Sequence, residues 1–115
     1  MRAHGSLDPD FIATSQYIQA HTLPTDRVIF RKPRLLSLLT GRAAATYDEN
    51  SDTGELWKLA RSIGASYLIQ ADVPQEEFIS DRTYLGAFVA ANGDRVVRVY
   101  RNDHYAVFHL TDPPR

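Results

Sequence analysis

Cysteine is absent from this sequence, and with it go disulfides, thiolate nucleophiles and thiolate metal sites. Long apolar runs are missing too. LLSLL at 35–39 and YLGAFVAA at 84–91 fall far short of the ~20 residues needed to cross a bilayer's hydrocarbon core. The opening MRAHGSLDPD has no apolar stretch of the signal-peptide kind. Charge of one sign is lacking as well: 13 basic against 14 acidic side chains leave a net charge of −1, so no global field draws the chain to nucleic acid or an anionic surface.

Other absences concern chemistry. No G-x-G-x-x-G or Walker-type loop is present, so no backbone cradle for a pyrophosphate is expected. Ser37 and Ser66 have no G-x-S-x-G context, which removes the strained elbow of a hydrolase nucleophile. The histidines at 4, 21, 104 and 109 show no H-x-x-x-H spacing, and no zinc site is read from them. Glu76-Glu77 and the acids at 48–55 read as solvated surface, because adjacent helical carboxylates diverge. The reading therefore assigns no catalytic residue, no metal and no cofactor.

What is present suits a folded domain: 43% apolar and 23% charged residues lie close to ordinary globular usage. Asp8-Pro9 reads as an N-cap with proline at N1, opening a helix to about Ala20. Val28-Ile29-Phe30 is a short apolar run suited to a strand buried on both faces. Pro33 then starts a short helix with Leu35, Leu38 and Leu39 as its inner stripe, and Gly41 sits where a left-handed cap belongs.

Residues 42–47 follow as a second strand. A helix with Leu56, Leu59, Ala60 and Ile63 on its inner face comes next, capped at Ser51, Asp52 or Thr53 and stopped at Gly64. Tyr67-Leu68-Ile69 reads as a third strand, ended by Asp72-Val73-Pro74. Glu76 to Ala91 is helical in one or two pieces, with Tyr84, Leu85, Phe88 and Val89 inward. RVVRVYRNDHYAVFHL at 95–110 has the pattern of an antiparallel hairpin around Asn102-Asp103.

The order implies a small α/β sandwich with a short, partly parallel sheet, helices packed on it and a C-terminal antiparallel hairpin. Residues 8–111 read as a single α/β domain. Residues 1–7 read as a disordered or vector-derived leader, and 112–115 as a frayed tail.

One cluster has a physical case for binding. In VIFRKPRLLSLLTGR at 28–42, Arg31, Lys32 and Arg34 surround a proline where a strand gives way to a helix. A helix N-terminus offers unpaired N–H groups and partial positive charge, so cations there are unfavourable unless an anion joins them. Arg31, Lys32, Arg34 and Arg42 are thus the candidate anion-binding residues. The competing reading is a solvated basic face paired with the acids at 48, 49, 52 and 55. Tyr100, Tyr105 and Phe108 alternate with bases and would suit single-stranded nucleic acid if exposed, but core packing is the favoured reading.

Four segments carry a family resemblance: "YIQAHTLPTDRVIFRKPRLLSLLTGR", "TGELWKLARSIGASYLIQAD", "YLGAFVAANGDRVVRVYRN" and "HYAVFHL". Taken in order, they resemble the soluble domain at the C-terminal end of bacterial polytopic C-type glycosyltransferases, relatives of protein mannosyltransferases and lipid A aminoarabinose transferases. The shared pattern is a T-x-P-x-D-x-V turn into a strand, an R-K-P-R step, a G-R stop and a G-A-S-Y-L-I strand.

The resemblance implies a parent enzyme using a polyprenyl-phosphate-linked sugar, whose catalytic carboxylate lies in an early extracytoplasmic loop that no segment here matches. It implies a fragment on the periplasmic face of the inner membrane, attached to the transmembrane part of the same parent chain and without transferase activity alone. Its tasks would be stabilising that part, engaging the acceptor or a partner, or contacting lipid phosphate headgroups; nucleic acid is not among the partners. The alternative is an independent α/β module binding a small anion or phosphate at the 31–35 turn.

Overall fold

The computed structural model describes residues 9–47, 53–72 and 81–111. The Asp8, Ser51 and Asp52 caps, the stop at Pro74, the pair Glu76-Glu77, the acids at 48, 49 and 52, the leader and the tail lie outside them. Helix α1 (Pro9–His21) is followed by β1 (Arg27–Ile29), α2 (Pro33–Thr40), β2 (Ala43–Ala45), α3 (Thr53–Ile63) and β3 (Ala65–Ala71). A five-residue π-helical turn (Asp81–Leu85) leads into α4 (Gly86–Ala91), and β4 (Val96–Arg101) with β5 (Tyr105–Leu110) forms the hairpin.

The strands form one five-stranded mixed sheet in the order β2-β1-β3-β5-β4. β1 runs parallel to both β2 and β3, while β3–β5 and β4–β5 are antiparallel. The α/β sandwich with a partly parallel sheet and a terminal hairpin is thus what the chain adopts.

Alternation along the strands feeds two cores. Val28, Phe30, Ile69, Ala71, Tyr105 and Val107 meet Phe11 and Ile18 of α1 and Leu36 of α2 on one face. Ile29, Leu68, Phe108 and Leu110 meet Leu56, Trp57 and Ala60 of α3, Leu85, and Phe88 of α4 on the other. Three layers result, with the sheet in the middle.

One expectation needs correction. The inner face of α2 is centred on Leu36 and Thr40, with Leu35 half-buried against the same core, whereas Leu38 is 80% exposed and Leu39 37%. Thr40 can be buried because its hydroxyl donates to the Leu36 carbonyl at 2.8 Å, leaving no unsatisfied polar group. The antiparallel hairpin forms as expected, and its two strands differ in burial. β5 lies between β3 and β4 with both faces covered, whereas β4 is the edge and exposes Val97 and Val99. A register shift between Arg98 and Tyr100 distorts that edge, and a bulge with arginines discourages further pairing.

Candidate functional site

The basic step lies at a definable place. β1 sits between β2 and β3; α2 carries the chain from β1 to β2 on one face of the sheet, and α3 carries it from β2 back across to β3 on the other. The C-terminal ends of β1 and β3 therefore form a topological switch point, the position where open α/β sheets leave a crevice. Residues 30–34 leave β1 there.

Aromatic rings fill one side of that crevice. Phe30 stacks on Phe11 with centroids 5.6 Å apart, and Tyr105 closes on Phe11 at 5.5 Å and Phe30 at 6.2 Å. Such pairs add about 0.5–1.5 kcal/mol each beyond area burial. The α1 face of the switch point is packed core.

Alternation turns Arg31 to the other face, where its guanidinium lies 5.9 Å from the Tyr47 ring centroid. Tyr47 in turn stacks on Tyr84 with centroids 5.2 Å apart and ring planes nearly parallel. Lys32 is exposed and holds the N-cap position of α2, with Pro33 at N1 and no side-chain cap bond. Arg34 is exposed in the first turn, and α2 has no acid in that turn to oppose these charges.

Arg42 does not join them. It follows the left-handed cap of α2, where Gly41 has φ 74° and donates its N–H to the Ser37 carbonyl at 2.8 Å. Its side chain is buried and makes four bonds to protein oxygens. Nε donates to Thr22 Oγ1 at 2.9 Å and Nη1 to the Thr40 carbonyl at 3.1 Å; Nη2 donates to the Gln19 and Thr22 carbonyls at 3.0 and 3.1 Å. This cation ties together the C-terminal ends of α1 and α2, where free carbonyls and the helix dipole favour positive charge. The four candidate cations thus divide, three at one end of α2 and one at the other.

Sequence reading missed the clasp that sets α1 over the switch point. Asn102 Nδ2 donates to the Asp10 carbonyl and to Thr14 Oγ1, both at 3.0 Å, and His104 Nδ1 lies 2.8 Å from Asp10 Oδ2. The start of α1 is held against the tip of the β4–β5 hairpin, beside the ends of β1 and β3. Asn-Asp in a hairpin turn signals only the turn, so no sequence signal pointed to this bond.

The surface clefts offer little chemistry. One of about 450 Å³ at the opposite end of the sheet is lined by His21, Asp26, Tyr67 and His109. Burial, then the Asp26 carboxylate, then Tyr17 push the Tyr67 hydroxyl above its usual range, so it stays a neutral donor. His104 and His109 keep separate surroundings: His104 belongs to the hairpin turn and His109 packs on Tyr67 at 5.2 Å. Tyr105 and Phe108 are buried and Tyr100 stacks on Tyr17 at 4.6 Å, so these rings pack internally. Among the described residues no group of three His, Cys, Asp or Glu side chains could hold a metal ion. None of the described helices is long and apolar enough to cross a membrane.

No family model matches the chain, and no curated protein matches it by sequence. A structural match does exist. The crystal structure of the C-terminal globular domain of an oligosaccharyltransferase from Archaeoglobus fulgidus superposes with a TM-score of 0.60 at 7% identity. The match covers 91% of this chain and 99% of that domain. At that identity the two share a fold, over nearly the whole of both.

Proposed function

We propose that this chain is a non-catalytic, extracytoplasmic domain of a polytopic membrane glycosyltransferase that uses a polyprenyl-phosphate-linked sugar. The observation that carries the reading is the near-complete coverage of the C-terminal domain of an oligosaccharyltransferase by the same fold. The ordered segments that resemble the bacterial relatives of protein mannosyltransferases and aminoarabinose transferases support the same setting. In it the domain lies on the periplasmic face of the inner membrane, joined to the transmembrane part of its parent. There it stabilises that part or engages the acceptor or a partner protein.

The coding frame around this chain tests the reading. Several apolar stretches of about 20 residues are expected upstream. A frame with none would contradict it. The isolated domain should transfer no sugar from a polyprenyl-phosphate donor, and turnover by the domain alone would overturn its non-catalytic role.

A second reading, a module binding a small anion at residues 31–35, draws support from Arg34, which is exposed in a first helical turn that carries no acid. Titration with inorganic phosphate while following the 31–35 amides by NMR tests it. Unmoved amides count against it.

A further inference from the structure

The outer face of α2 carries exposed leucines beside exposed cations. Leu38 is the most exposed large apolar side chain among the described residues, at 80%, and Leu39 beside it is 37% exposed. Arg34, exposed, precedes Leu38 by four residues and so lies on the same face one turn away. Lys32 adds a second exposed cation at the head of the helix, and Pro33–Thr40 contains no acid. An apolar side chain standing out beside cations is the pattern of a surface helix that lies against anionic lipid.

The path of the chain supplies the orientation. α1 starts at Pro9 at the switch-point end of the sheet, held there by Asn102 and by the Phe11–Phe30 stack. α2 starts at the same end, just past β1. A chain reaching Pro9 from the membrane therefore enters beside Lys32 and Arg34, and both helices run away from that point. A protein partner that selected these cations would need its own acidic patch; a bilayer with anionic headgroups supplies the charge and the apolar phase together.

We infer that the outer face of α2, with Lys32, Arg34, Leu38 and Leu39, rests on the anionic lipid surface of the membrane that holds the parent protein. This rests on the membrane-enzyme reading above and names the contact it requires. The contact is weak in isolation. A single tethered chain makes it effective, because tethering turns the encounter into an intramolecular one.

The test uses the chain anchored through an N-terminal tag to vesicles, with amide line widths and lipid-borne paramagnetic broadening as readouts. Phosphatidylcholine vesicles with 30% phosphatidylglycerol, by design, are compared with phosphatidylcholine alone. Broadening of residues 34–39 on the anionic vesicles, lost in high salt, is expected. Arg34→Gln should weaken partitioning of the untethered chain about fivefold, the equivalent of ~1 kcal/mol per basic residue near the surface. Leu38→Ser should weaken it by about five- to tenfold without unfolding the chain, since Leu38 is 80% exposed.

Broadening on both vesicle types alike, or on neither, overturns the inference. So does a shift of the same amides with inorganic phosphate alone, which would mean a small-anion site. Crosslinking from Leu38→Cys to protein but not to lipid in native membranes would replace the bilayer with a protein partner. The coding frame tests the parent reading separately: membrane spans upstream with no lipid contact would sink this inference alone.

Discussion

The two ends of α2 carry the same kind of charge to opposite ends. At its C-terminus Arg42 is buried, with four bonds to oxygens, three of them carbonyls of α1 and α2 or the turn after α1. At its N-terminus Lys32 and Arg34 point to solvent, where the helix dipole opposes them. Position relative to a helix axis, rather than residue type, decides whether a cation holds the fold or faces outward. A basic cluster read from sequence mixes both kinds.

Substitutions that break the comparison should fall in a clear order. Arg42→Ala leaves helix-terminal carbonyls and Thr22 without their donor in a buried place, and should cost about 3 kcal/mol. For a chain of this size, thermal unfolding would then fall by roughly 12 °C. Arg42→Lys keeps the charge but cannot reach four acceptors from one planar group, so about 2 kcal/mol should still be lost. Denaturant midpoints at unchanged slope would measure both.

Gly41→Ala sharpens the same end of the helix. A Cβ there meets nothing within 4 Å, so the cost is backbone strain at φ 74° alone, about 1 kcal/mol. At the other end Arg34→Gln should leave stability unchanged or raise it by up to about 0.5 kcal/mol at low salt, because it removes a cation from the wrong end of the dipole. Calorimetry at two ionic strengths should show any such gain fading with salt.

The sequence was legible where local chemistry is decisive. Pro33 and Gly41 bound α2 as expected, and Gly64 stops α3 with φ 71°. The Val28–Phe30 run is buried on both faces. The face of α2 was not legible, because an eight-residue helix fits two stripes: 35, 38 and 39, or 36 and 40. Apolar count favours the first, and the packing of α2 against α1 and the sheet selects the second, with Leu35 half-buried beside it. Thr40 then escapes notice as a core residue since its hydroxyl is satisfied within the helix.

Arg42 escaped for a related reason. Its partners Gln19 and Thr22 are about twenty residues away and meet it only once α1 and α2 pack side by side. The central place of β5 was written in its apolar character, YAVFHL, beside the arginine-rich RVVRVYR of the edge strand. A two-strand pattern alone does not tell which partner is covered. The Asp10–His104 contact spans almost the whole chain and leaves no local trace.

Unfolding and membrane partitioning measured together on Arg42→Ala and on Arg34→Gln with Leu38→Ser test the central claim most directly. The account predicts a double dissociation. Arg42→Ala loses about 3 kcal/mol of stability and, below its unfolding range, keeps its partitioning onto anionic vesicles. The other variant keeps its stability and loses most of its partitioning. A stability loss of similar size in both, or partitioning unchanged in the second, would contradict the division of labour between the two ends of α2.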